Sequence, residues 1–107
     1  MKTAHLLLCT LAILAFAARA DAAATLYGAS AAGDTGELYI LNPATGAMIQ
    51  DVGPLNDSLN VNYPITGLAF HPLTGVLYGS TGNNPTATAA RLVTINPASG
   101  LVTVIGS

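Results

Sequence analysis

The chain has 107 residues, 51% of them hydrophobic and only 7% charged, with 11 Gly, 6 Pro, one Cys and no Trp. That length suits about one domain, and a chain so apolar is no disordered tail. Three Lys/Arg against five Asp/Glu, a net charge of −2, exclude the basic footprint of a nucleic-acid binder and a polybasic membrane-surface patch.

The first segment reads as an export signal. Lys2 supplies a positive start, and residues 6–18 form an uncharged run of 13 residues. This fits the apolar region of a signal peptide, roughly 7–15 residues. It falls short of the roughly 20 that span a bilayer. Two small-x-small sites follow, Ala18-Arg19-Ala20 and Ala20-Asp21-Ala22. Cleavage after Ala22 is preferred, so residues 1–22 are the expected signal peptide and 23–107 the mature chain. No charged stop-transfer block follows, which argues against an uncleaved anchor. Cys9 follows Leu8 and sits too early for a lipoprotein site. Removing 22 of 107 residues leaves 85, with Arg91 facing Asp34, Glu37, Asp51 and Asp57 for a net −3. The only thiol leaves with the signal, which excludes disulfides and thiolate chemistry from the mature chain.

Short runs rich in Leu, Ile, Val, Tyr and Thr, separated by Gly, Pro, Asn and Ser, predict strands at 25–30, 37–42, 47–52, 65–70, 76–80, 91–95 and 101–105. No stretch of the mature chain carries a capped helical stripe, and 85–90 reads as a loop. The strands repeat. Leu26-Tyr27-Gly28 recurs as Leu77-Tyr78-Gly79, Asn42-Pro43-Ala44-Thr45-Gly46 as Asn96-Pro97-Ala98-Ser99-Gly100, and Val52-Gly53 as Ile105-Gly106. One unit spans about 50 residues, the size of a propeller blade of the kelch class. Inside it, Pro43-Ala44-Thr45-Gly46, Pro72-Leu73-Thr74-Gly75 and Pro97-Ala98-Ser99-Gly100 share one turn pattern. Proline presets φ at the second turn position and glycine takes the later φ > 0 position. The long connections 54–64 and 81–90 fall between the units and inside the second unit.

Ile65-Thr66-Gly67-Leu68-Ala69-Phe70-His71-Pro72, Gly75-Val76-Leu77-Tyr78-Gly79 and Leu92-Val93-Thr94-Ile95-Asn96-Pro97 resemble one blade of secreted bacterial β-propeller repeat proteins of the NHL-like and lactonase-like kind. The resemblance implies an all-β fold of antiparallel four-stranded blades. Residues 25–53 then supply the three outer strands of one blade, and 65–106 a complete second blade with 65–70 innermost. A small β-sandwich of the same strands is the alternative. Lactonase-like sites use acidic and Asn ligands spread over several blades, and none matches here.

Candidate site residues each have a plainer reading. His71, the mature chain's only histidine, could be a general base or metal ligand. It fills the slot of Asn42 and Asn96, however, and is read as a turn residue. Asp34, Glu37, Asp51 and Asp57 show no calcium-loop spacing. Glu37 and Arg91 occupy equivalent positions and could pair across blades, but exposed pairs contribute only ~0–1 kcal/mol, and both are read as edge charges that discourage strand addition. Tyr27 and Tyr78 repeat, which favours packing; Tyr63, before Pro64 in the long loop, is the better binding candidate. Asn56-Asp57-Ser58 matches a glycosylation sequon, read as a chance match in a bacterial chain. Ser80, Ser99 and Ser107 have no general base nearby. No catalytic, cofactor or metal residue is assigned.

The expectation is therefore a secreted or periplasmic bacterial binding or scaffold module, its partner an unknown protein or small-molecule ligand, with no nucleic acid and no membrane span after signal cleavage. The alternatives are a propeller hydrolase whose site lies in other blades and a cell-surface repeat protein. Seven strands fall short of the roughly 16 of a four-bladed ring. A further innermost strand is expected about twelve residues beyond Gly106, so the chain is expected to be a fragment. The edge of 25–30 would then be left unpaired, and the 85-residue product, made alone, poorly soluble or loosely folded.

Overall fold

The computed structural model describes residues 24–32, 35–83 and 87–107. The leader, its cleavage site and Asp34 lie outside them. Seven strands follow in order: β1 Leu26–Ala29, β2 Glu37–Leu41, β3 Met48–Pro54, β4 Ile65–Phe70, β5 Leu77–Thr81, β6 Leu92–Ile95 and β7 Val102–Gly106. Each lies within two residues of its expected span. They wind consecutively into two antiparallel sheets, β1-β2-β3 and β4-β5-β6-β7, and no strand crosses from one to the other.

The repeat carries over into register. Leu26 pairs with Leu41, Tyr27 with Ile40, Gly28 with Tyr39 and Ala29 with Leu38. In the second sheet Leu77 pairs with Ile95, Tyr78 with Thr94, Gly79 with Val93 and Ser80 with Leu92. The bulges repeat too. Leu38 faces Gly53 while Tyr39 faces Asp51, so Val52 is the extra residue. Leu92 faces Gly106 while Val93 faces Val104, so Ile105 is its counterpart. The Val52-Gly53/Ile105-Gly106 repeat is thus a bulge that bends the outer strand of each sheet.

Three turns share one construction. The Asn42, His71 and Asn96 carbonyls accept from the amides of Gly46, Gly75 and Gly100 at 2.7, 2.9 and 2.8 Å. Each glycine takes positive φ, at 74°, 70° and 79°, where a Cβ is disfavoured. The Oγ atoms of Thr45, Thr74 and Ser99 accept from Ala47, Val76 and Leu101 amides at 3.3, 3.4 and 3.2 Å.

The connection 54–64 is more ordered than its expected loop. Asn56 and Asn62 form an antiparallel bridge, and the Tyr63 amide donates to the Leu55 carbonyl at 2.8 Å. This small hairpin is fastened to both sheets. Its Leu55 amide donates to the Gly36 carbonyl at 3.0 Å, and its Asn56 carbonyl accepts from the Val102 amide at 2.9 Å. The Asn62 side chain closes a ring on Gly36: Oδ1 accepts from the Gly36 amide at 2.6 Å and Nδ2 donates to the Gly36 carbonyl at 2.9 Å. Leu38 of the first sheet, Leu55 and Tyr63 of the connection, and Ile65, Leu77, Val93, Ile95 and Val102 of the second sheet form one core. Burying each large aliphatic side chain contributes about 2 kcal/mol.

A Cβ on Gly36 would overlap the Tyr63 carbonyl, whereas one on Gly46 meets nothing within 4 Å. Gly36→Ala is therefore expected to cost on the order of 3 kcal/mol, because backbone must move. Gly46→Ala is expected to cost about 1 kcal/mol, from the left-handed φ alone. Urea unfolding of the two variants measures the difference.

Candidate functional site

His71 lies at the tip of the β4–β5 turn. Its Nδ1 accepts from the Leu73 and Thr74 amides, both at 3.2 Å. The Asn42 carboxamide oxygen does the same for Ala44 and Thr45 at 2.8 and 3.3 Å, and that of Asn96 for Ala98 at 2.9 Å. The imidazole thus stands in for a carboxamide oxygen, which supports the turn reading over a general base. The other face of the ring leans toward Tyr78, with centroids 6.4 Å apart.

The densest polar cluster sits in the hairpin between the sheets. Asp57 Oδ1 accepts from the Leu59 and Val61 amides at 2.9 and 3.0 Å, and Oδ2 from the Tyr63 hydroxyl at 3.0 Å. The Val61 amide is the main reason that its carboxyl lies below the ordinary aspartate value. Burial pushes the Tyr63 phenol up, reinforced by its bond to the Asp57 carboxylate. Tyr63 is therefore a core anchor. Its ring fills the space between the sheets and its hydroxyl is spent on Asp57. The Asn56 side chain of the sequon accepts from Asn62 Nδ2 at 2.7 Å, which gives it a structural task.

Glu37 and Arg91 do not form a pair. The neighbour of Glu37 is Asp51 on β3. Partial burial, then hydrogen bonding and repulsion from Asp51, raise its carboxyl above the ordinary value. Arg91 instead acts on Tyr63, favouring its ionised form. Tyr27 packs edge-on against Phe70 with centroids 5.5 Å apart, as the packing reading expects. The Ser99 hydroxyl belongs to its turn. Two residues passed over by sequence reasoning repeat in function: Ser30 Oγ accepts from the Glu37 amide at 3.1 Å, and Thr81 Oγ1 from the Arg91 amide at 2.8 Å. Both hydroxyls stand two residues after a Leu-Tyr-Gly motif, a signal that was present in the sequence.

Among the described residues no three His, Cys, Asp or Glu side chains converge on a point that could hold a metal ion. No helix among them is long and apolar enough to cross a membrane. What the described surface offers is shallow. One groove of about 270 Å³ crosses the second sheet beside Ala69, Tyr78, Ser80 and Leu92. Another, of about 440 Å³, lies over Val76, Thr94, Pro97 and Thr103. Neither groove has a nucleophile beside a base in its lining. No family model, no curated protein and no solved structure matches the chain.

His71→Asn is expected to leave stability unchanged, whereas His71→Ala loses two turn bonds and costs about 1 kcal/mol. Chemical denaturation measures both. The carboxyls give opposite pH responses. Asp57, with its folded value depressed, stabilises above the unfolded aspartate value, and that contribution is lost as pH falls through the folded one. Asp57→Ala should therefore flatten the acid limb of stability against pH. Glu37, with its folded value raised, favours the fold below the unfolded glutamate value, and this is lost as pH rises through the folded one. Glu37→Gln should raise the melting temperature at pH 7 and leave it unchanged in strong acid.

Proposed function

We propose that this chain is an exported β-propeller-type repeat module acting as a binding or scaffold element. The observation that carries the reading is the repetition of register. Two meanders of the same strand order share their cross-strand pairs, their bulge and their six-residue turns, and they pack on a common core. A sandwich with strands exchanged between its sheets would not produce this pattern. Repeat folds of this kind present surface made by stacking, and they need no chemistry within a single unit. Four or more sheets close a propeller, so the two here form part of a ring whose other sheets come from outside the described residues. The uncharged leader run supports placement outside the bacterial cytoplasm, secreted or periplasmic, and the ligand is an unidentified protein or small molecule.

The second reading is a hydrolase whose site is assembled across several such sheets. The open grooves and the structural use of His71 and Asp57 favour the binding module. Two measurements test the proposal. Full-length chain expressed in a bacterium should accumulate outside the cytoplasm with Ala23 as its first residue; retention in the cytoplasm at full length overturns the export reading. Incubated with γ-butyrolactone and p-nitrophenyl acetate, the purified protein should give no hydrolysis above buffer. Turnover that His71→Ala abolishes would overturn the binding reading in favour of the enzyme.

A further inference from the structure

The two sheets have faces of two kinds, and the register tells them apart. In the first sheet, Tyr27, Ala29, Leu38 and Ile40 share one face, and Leu26, Gly28, Tyr39 and Leu41 share the other. In the second, Tyr78, Ser80, Leu92 and Thr94 correspond to the first kind, and Leu77, Gly79, Val93 and Ile95 to the second. Within the chain, the first kind of face on one sheet meets the second kind on the next. Leu38 joins Leu77, Val93, Ile95 and Val102 in one core, with Tyr27 and Ala29 packed against it.

The contact is therefore head-to-tail, and it leaves one face of each kind open. Equivalent residues show the difference directly. Leu38 is 0% exposed and its counterpart Leu92 is 48% exposed; Leu77 is 1% exposed and Leu26 42%; Val102 is 2% exposed and Met48 61%. Residues that pack in one sheet face solvent in the other. The groove beside Tyr78, Ser80 and Leu92 lies on the open face of the second sheet.

We infer that the open face of the second sheet docks a second copy of this chain through the open face of that copy's first sheet. The contact brings together the same two kinds of face that meet within the chain. A heterologous contact of this kind generates rings or filaments and not an isologous pair. The second-sheet face that is buried within the chain also includes β4, which approaches β1 and buries Ile65; the first sheet has only three strands, so the contact between copies forms without that strand. The acidic pair does not block the contact. Asp51 corresponds in register to Val104, which stays exposed beside the formed interface, so the carboxylates lie at its rim. Leu55 and Tyr63, which fill the interface within the chain, come from the connecting hairpin. The contact between copies lacks them, and lacks a counterpart of Ile65, so it is expected to be the weaker one. The inference rests on register and exposure, and it stands whether or not the export and ligand readings hold.

The test uses two variants that each spoil one face at an already exposed position. Full-length chain is expressed and the accumulated protein purified; sedimentation velocity is then run from low micromolar to a few hundred micromolar. Wild type should associate with rising concentration. Leu92→Asp and Leu26→Asp should each lower the association constant by at least about tenfold, the loss expected from one central apolar residue. Their far-UV spectrum and melting temperature when unassociated should match wild type; Thr94→Lys and Met48→Lys repeat the design should either variant melt early. Mixed in equal amounts, the Leu92→Asp and Leu26→Asp proteins should form a heterodimer that grows no further, since one retains the intact second-sheet face and the other the intact first-sheet face. A wild type monomeric throughout, self-association by either variant alone at wild-type strength, or the absence of a mixed dimer would each overturn the inference.

Discussion

A glycine and an asparagine hold the two sheets together. Gly36 opens β2 with no room for a side chain, because the Tyr63 carbonyl occupies the place of a Cβ. Asn62 uses both ends of its carboxamide on the amide and carbonyl of that glycine. The same few residues seat Leu55 and Tyr63 in the core and aim the chain into β4. A half-buried carboxamide satisfied at both ends is directional in a way that apolar packing is not. It therefore sets how the sheets meet, and the apolar core then fills the space so defined.

The second constraint is a turn that accepts several side chains in one role. What the turn needs is an acceptor two to three residues ahead of two amides, a glycine in the left-handed region and a hydroxyl to close its exit. Asn42, His71 and Asn96 all provide the acceptor. This explains how a histidine can fill the place that asparagine holds in the other two turns. Gly100 differs from Gly46 and Gly75 in one respect: a Cβ there would press on the Pro54 carbonyl. Its turn is seated against the exit of the first sheet, so its glycine answers to packing as well as to φ.

The strands and their pairing were legible in the sequence because each meander is local. Alternating β-favouring residues mark the strands, and Pro-x-Ser/Thr-Gly marks their ends, so adjacent elements define each other. The repeated Val-Gly and Ile-Gly pairs were visible as letters, and their meaning as bulges emerged only from the register. The connection 54–64 was misjudged because its order depends on partners elsewhere. Asn62 reads as a loop residue until Gly36, 26 positions earlier, is beside it, and Tyr63 reads as a free aromatic until Asp57 and the second sheet enclose it. That Glu37 has Asp51 and not Arg91 as its neighbour has a related reason. Equivalent positions in a repeat share a face and a height, but in a head-to-tail stack each meets the neighbour's other face.

The burial of Leu38 carries a temporal consequence. A protein is made from its N-terminus at roughly 5–20 residues per second. All three strands of the first sheet are complete once Pro54 has emerged, yet nearly everything that covers Leu38 lies later in the chain. For an interval of several seconds the nascent sheet has its hydrogen bonds available and its apolar face bare. The connecting hairpin is the first cover to arrive, with Leu55 one residue beyond β3 and Tyr63 soon after it. Its position in the chain makes it a provisional lid, formed before the second sheet exists and then enclosed by it.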